Sequence, residues 1–425
     1  MVLTLSPASR AGEYRSKSTT AAQNSTASHS SKPSWGDDTR ILDICERSVG
    51  ISRYRDPAIS PGDLTTSLVA VVTDAQRRGR RVIGYGFASV GRYAQGGLIR
   101  ERFARRLLAA QPGDIVTDAG DNLDPYRAWS VMMAGEKPGG HGERCVAVGA
   151  LDMALWDAAA KVAGLPLYRL LAQRLRLEVS AADVAVYASG GYPYPDHDLQ
   201  SLTDEIRCFA DLGFTSAKIK IGGAGLAEDL RRVEAAAGAI GGFDRLAVDA
   251  VNRYGQRAAH AAATALAPLQ LGWFEDICDP LDFATLAAVA NEYPPPIAAG
   301  EALFSESEAV LLDRYAGLRR NHDILLFDPV HCYGLPGYLR IIDRLTGTGW
   351  PRTAFWPHGG HLFSLHLVAA LGLGGAEITP LAFHPFCGPP PTLPVTAGTM
   401  PVPEIPGVGF EIHQEAYEAF RSLTE

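Results

Sequence analysis

The chain has 425 residues and a mass of 45.4 kDa, and its 47% hydrophobic and 20% charged residues exclude disordered and fibrous classes. A formal net charge of −8, with no basic block beyond Arg77, Arg78, Arg80 and Arg81, excludes a nucleic-acid binder that works by neutralising phosphates. No stretch approaches the roughly 20 apolar residues of a membrane span, and six scattered cysteines without CxxC pairs or zinc spacing point to reduced thiols in a cytoplasmic protein.

Residues 1 to 37 are rich in Ser, Thr and Ala and poor in large apolar side chains, so a disordered tail is predicted. Arg10, Arg15 and Lys17 against the single acid Glu13 leave organelle targeting open for it. From 38 to 164 an α+β unit is expected. SLVAVVTD (67–74) and RVIGYGFAS (81–89) flank the polar QRRGR as an antiparallel hairpin, and VAVGALDMALWDAAAKVAG (146–164) carries helical periodicity closed by a glycine. After Leu165 short apolar strands alternate with helical stretches, the mark of parallel βαβ units. The candidate strands are DVAVYAS, SAKIKIG, RLAVDA, LGWFED, PIAAGE, DILLFD, RTAFWPH and PLAFHPF. Eight is the number that closes a barrel.

Polar residues stand at the C-terminal ends of these strands: Lys218 and Lys220, then Asp249, Glu275, Glu301, Asp328 and His358. From Lys220 onward the intervals are 29, 26, 26, 27 and 30, one βα unit per step, which sends these side chains to the barrel rim where such enzymes work. Asp249, Glu275 and Glu301 form an all-oxygen set suited to Mg²⁺ completed by water and substrate. Without a cation, three converging acids repel one another. Strand alternation puts Lys218 and Lys220 on the same inward face, where mutual repulsion and burial are expected to lower their pKa values and make a general base. Asp328 and His358 end consecutive strands, so the carboxylate is placed to orient the imidazole. A metal, a lysine and a histidine together specify loss of the α-proton from a carboxylate substrate. If a β-hydroxyl is present, protonated His358 assists its departure and the enol product becomes a 2-keto acid.

Several stretches carry a resemblance over roughly Thr65 to Phe410: GYGFASVGRYAQGGLIRERFARR, AGDNLDP, EKPGGHGER, VAVGALDMALWDAAAKVAGLPLYRLL, AKIKIGG, YGL after Asp328, and PHGGH. In this order they resemble the enolase superfamily, in its mandelate racemase-like branch, nearest to the D-tartrate dehydratases. The resemblance implies a modified (β/α)₇β TIM-type barrel (165–388) under an α+β capping domain (38–164), which a C-terminal segment (389–425) completes. It implies Asp249, Glu275 and Glu301 as Mg²⁺ ligands, Lys220 as base, His358 as acid oriented by Asp328, and Lys137 and Lys218 as contacts to the substrate. The activity implied is dehydration of a small hydroxycarboxylate, D-tartrate to oxaloacetate, in a homo-oligomer with no nucleic-acid or membrane partner. A racemase or epimerase, another acid-sugar dehydratase, and a non-catalytic metal- or ligand-binding descendant are the alternatives. The sequence departs from the pattern at Val251, where an asparagine is usual and Asn252 is displaced by one, at Ala302, at His331, and in the cap loop 52–63, a segment expected to read the distal part of the substrate.

Overall fold

A computed structural model describes residues 39–56, 64–179 and 183–425. The expected N-terminal tail and residues 57–63 of the cap loop lie outside the described residues.

The N-terminal part is an antiparallel sheet of three strands, β1 (Ile41–Gly50), β2 (Thr65–Arg77) and β3 (Arg80–Phe87), in that order. β2 and β3 form the expected hairpin, turning at Arg78 and Gly79, both at positive φ. Against this sheet lies helix α1 (Glu143–Ala163), buried almost throughout from Cys145 to Lys161. Where it crosses β3 it presents Ala150, Ala154 and Ala158, too small to hold the sheet off. Two strand glycines complete the fit: a Cβ on Gly84 would come within 2.1 Å of the Ala154 carbonyl oxygen, and one on Gly86 within 2.4 Å of that of Ala150. Asp157 Oδ2 accepts from the Tyr85 amide at 2.8 Å and Lys161 Nζ donates to the Ile83 carbonyl at 3.0 Å, which fixes the helix on β3. Gly164, at φ +72°, ends the helix in the left-handed conformation that glycine adopts without a steric penalty.

Seven parallel strands follow: β4 (Asp183–Ser189), β5 (Ala217–Lys220), β6 (Leu246–Asp249), β7 (Trp273–Glu275), β8 (Ile297–Ala299), β9 (Ile324–Leu325) and β10 (Ala376–Ile378). They curl into one sheet, β10-β4-β5-β6-β7-β8-β9, with helices between successive strands. The remaining place, between β9 and β10, is held by Phe355: Trp356 N donates to Leu325 O at 2.9 Å and Gly374 N to Phe355 O at 3.0 Å. This is a modified (β/α)₇β barrel with a capping domain. Two expected strands are corrected. RTAFWPH is a short 3₁₀ turn and a single bridge at Phe355, and PLAFHPF is a run of turns. The strand beside β4 is instead Ala376–Ile378, three residues long.

After β10, β11 (Thr399–Pro401) pairs antiparallel with β4. The last helix, Gln414–Arg421, lies on the cap sheet, where Phe420 is buried and stacks on Tyr85. Helix α1 also reaches the barrel. Asp152 Oδ2 accepts from the Leu335 amide at 2.7 Å, and a Cβ on Gly149 would meet the Val330 carbonyl oxygen at 1.8 Å. Cap and barrel thus touch directly behind Asp328. Among the described residues no helix is long and apolar enough to cross a membrane.

Candidate active site

Strand register brings the site together. Lys220 pairs with Asp249, and Asp249 with Glu275, across β5, β6 and β7. Glu301 follows β8 through Gly300, whose φ of 128° favours glycine at the turn. One carboxylate oxygen from each of Asp249, Glu275 and Glu301 lies within 4.8 Å of the others. The other oxygens are spoken for unevenly. Asp249 Oδ1 accepts from the Val251 amide at 2.7 Å and Glu275 Oε2 from Trp273 Nε1 at 2.7 Å, whereas Glu301 Oε2 is buried and accepts no hydrogen bond. Burial pushes Glu275 up to about 8; Lys218 opposes the shift, and Asp249 and Glu301 add to it. An all-oxygen donor set with one orphaned buried oxygen and too little positive charge nearby fits a hard divalent cation.

Lys218 and Lys220 are both buried and face inward, as strand alternation predicts. The expected lowering of their pKa values is overturned. Burial does act against each ammonium, but Glu275 and Glu377 hold Lys218 well above the ordinary lysine range, and Asp249 holds Lys220 up in the same way. Lys218 Nζ donates to Glu275 Oε1 and lies 3.1 Å from Glu377 Oε1; Lys220 Nζ is 2.5 Å from Asp249 Oδ2. Attraction to carboxylates on adjacent strands outweighs the repulsion between two lysines on one strand.

On the other flank, His358 Nδ1 lies 2.9 Å from Asp328 Oδ2 and its Nε2 3.4 Å from Glu301 Oε2. Burial works against the imidazolium, but Glu301, Glu377 and Asp328 push His358 up to about 10. Asp328 is itself held from three directions. Its Oδ1 accepts from the amides of Val330 (2.7 Å) and His331 (3.2 Å), and its Oδ2 from Ser89 Oγ at 2.7 Å. Ser89 lies at the end of the cap hairpin, so the cap supplies part of the dyad.

Sequence reasoning missed Glu377 and Ser89. Glu377 lies on β10, where Oε2 accepts from the Gly359 amide at 2.9 Å and is 3.8 Å from His358 Nε2. A lone acid in the apolar run GGAEIT is its only sequence signal. Lys137 is not brought to the acids. It is exposed on the loop before α1 and lines a cavity of about 250 Å³ with Phe304, Ser305 and Tyr333. Asn252 turns away to donate to Asp276 Oδ2 at 2.7 Å, and Val251 and Asn252 both have positive φ. The unusual His331 is buried beside Asp328, with Nδ1 3.7 Å from Oδ2.

A family described as enolase C-terminal domain-like matches residues 201–416, and the N-terminal domain of mandelate racemase and muconate lactonizing enzymes matches 121–172. The chain is similar to an arabinonate dehydratase of Saccharolobus solfataricus, 29% identical over 290 residues that span 67% of this chain and 74% of that one. It is similar also to a 3,6-anhydro-alpha-L-galactonate cycloisomerase of Streptomyces coelicolor, 30% identical over 283 residues, 66% of this chain and 72% of that one. Among solved structures, an L-talarate dehydratase from a Polaromonas species, complexed with Mg and L-glucarate, shares the fold with a TM-score of 0.65 and 25% identity, covering 87% of this chain and 94% of that one.

Proposed function

Because the chain belongs to the enolase superfamily, in its mandelate racemase-like branch, we propose that it is a Mg²⁺-dependent dehydratase of acid sugars, with D-tartrate, converted to oxaloacetate, as the substrate. The observation that carries this reading is the order of groups around the barrel mouth. Lys220 stands beside the first acid, Asp249, and His358 beside the last, Glu301, so two proton-handling groups of different chemistry flank one acid cluster. Asp249, Glu275 and Glu301 are the ligands in this proposal. An ion held by these three would supply positive charge where negative charge develops on the substrate and would offset the acids that otherwise keep the lysine protonated.

The remaining steps belong to the chain. Lys220 Nζ takes the α-proton, and Lys218, fully buried and paired to Glu275 and Glu377, presents fixed positive charge on the same face. Protonated His358, aligned by Asp328, gives its proton to the β-hydroxyl as the carbon–oxygen bond breaks, and water leaves. The enol that remains tautomerises to the 2-keto acid. Lys137 is exposed and lines the neighbouring cavity with Phe304 and Ser305. The similarity to an arabinonate dehydratase and to an L-talarate dehydratase supports the dehydratase reading.

The test is keto-acid formation with D-, L- and meso-tartrate and with longer sugar acids, each with Mg²⁺ and with chelator. Keto acid from D-tartrate that disappears with chelator is the expected result. No product from any acid removes the dehydratase reading. Deuterium from solvent appearing in recovered substrate of inverted configuration, without loss of water, makes the enzyme an epimerase instead.

A further inference from the structure

Resting on the dehydratase reading above, we propose that Arg92 and His331 form a subsite for an anionic group at the end of the substrate remote from the α-carbon, which makes the enzyme selective for diacids. Three observations converge on the His358 side of the pocket. First, the cap segment that begins at Ser89 runs over the catalytic histidine: Ser89 Oγ donates to Asp328 Oδ2, and a Cβ on Gly91 would lie 3.9 Å from His358 Cε1. Arg92 is the next residue. Its guanidinium sits 4.8 Å from the centroid of the Phe304 ring, and among the described residues no carboxylate pairs with it. A half-buried guanidinium stacked on a ring keeps its planar fork ordered and open for a carboxylate.

Second, His331 is 2% exposed, and neither ring nitrogen has a hydrogen-bond partner among the described residues. Asp328 Oδ2, 3.7 Å from Nδ1, offsets only part of the cost of burying the imidazole. The His331 ring centroid lies 5.3 Å from that of Phe304, steeply inclined to it, and 5.8 Å from that of His358. Third, Phe304 joins the two. The Phe304 ring, three residues beyond the acid Glu301, lies against both the Arg92 guanidinium and the His331 ring. A substrate held with its β-carbon at His358 extends in this direction. A terminal carboxylate there pairs with Arg92 through two parallel N–H bonds and takes a further hydrogen bond from His331.

Among the described residues Arg53 of the cap also has no carboxylate partner, and its guanidinium sits over Tyr192 beside Lys220. It lies on the proton-abstraction side and is exposed, so it serves as the matched control.

The experiment compares malate with 2-hydroxybutyrate, which differ in a carboxylate against a methyl group at the distal end and carry no β-hydroxyl to eliminate. Binding to the Mg²⁺-loaded full chain is measured by calorimetry for the wild type and for Arg92→Met, Arg92→Lys, His331→Phe and Arg53→Met, with thermal melts to confirm folding. Malate is expected to bind about 100-fold more tightly than 2-hydroxybutyrate to the wild type, as a bidentate charged pair does. In Arg92→Met that ratio should fall to within a few-fold of unity, recover only partly in Arg92→Lys, and persist in Arg53→Met. His331→Phe should lower it by about tenfold, the loss of one hydrogen bond to a charged group. A ratio that survives Arg92→Met, or collapses in Arg53→Met instead, overturns the subsite while turnover of tartrate leaves the dehydratase reading intact. Absence of turnover with every acid overturns that reading, and the subsite with it.

Discussion

Replacing Asp328 by Asn separates the two halves of the proposed reaction. The substitution preserves shape and leaves an oxygen for the amides of Val330 and His331. At the other position it puts an amide nitrogen, a donor, where Oδ2 now accepts from Ser89 Oγ at 2.7 Å and faces His358 Nδ1 at 2.9 Å. The charge-assisted bond to the imidazolium contributes about 1.5 to 3 kcal/mol and the hydroxyl bond about 1 kcal/mol. Together they amount to about 2.5 to 4 kcal/mol, and at 1.4 kcal/mol per factor of ten the alignment of His358 should weaken by about 10² to 10³-fold. Lys220 is held by Asp249 on the far flank of the acids and is untouched by the change. Incubation with a β-hydroxy acid in D₂O, followed by NMR of recovered substrate and by keto-acid assay, reads the two steps apart. Elimination should fall about 10² to 10³-fold, while uptake of α-deuterium changes less than about tenfold. A parallel fall in both, or no change in elimination, refutes the assignment of His358 and Asp328 to the departing hydroxyl.

Two further outcomes follow from the buried histidines and from the contact between cap and barrel. Burial pushes His361 and His366 down to about 4; His366 Nδ1 accepts from the Tyr168 amide and Nε2 faces the Val408 carbonyl, so the ring is neutral when folded. The unfolded chain takes up protons from about pH 6.5, so stability falls as pH drops from there to about 4, by at most about 3.5 kcal/mol per ring. In chelator, the urea midpoint should decline across that window, and His366→Asn should flatten the decline; an unchanged slope would falsify the linkage. Gly149→Ala drives a methyl into the Val330 carbonyl on the backbone that follows Asp328. It should cost about 3 kcal/mol in chemical denaturation and reduce elimination more than α-deuterium uptake. Wild-type stability in this variant would show that the two backbones separate freely.

The strand tips were legible because a βα barrel repeats. A polar residue recurring every 26 to 30 positions after an apolar run has one geometric explanation, and Asp249, Glu275 and Glu301 do converge. The eighth strand was not legible. Ala376–Ile378 is only three residues long and exists through pairing with β4, almost two hundred positions away, whereas PLAFHPF is longer and more aromatic yet pairs with nothing as a strand. Glu377 was lost with that misplacement. The charge state of the lysines failed for a related reason. A sequence shows neighbours along one strand, here Lys218 beside Lys220, while Glu377, which lies 3.1 Å from Lys218, arrives from a distant one. Ser89 could be seen only once the cap hairpin was known to end above Asp328.

The hydroxyl of Ser89 makes the pair of Asp328 and His358 a shared possession of two parts of the chain. Grafting a foreign cap onto this barrel, a natural shortcut for protein engineers seeking new selectivity, would remove one of the three supports of Asp328 along with the lid. Chimeras of this kind should lose rate even on the compound for which the new lid was chosen, until a hydroxyl is restored at the grafted seam.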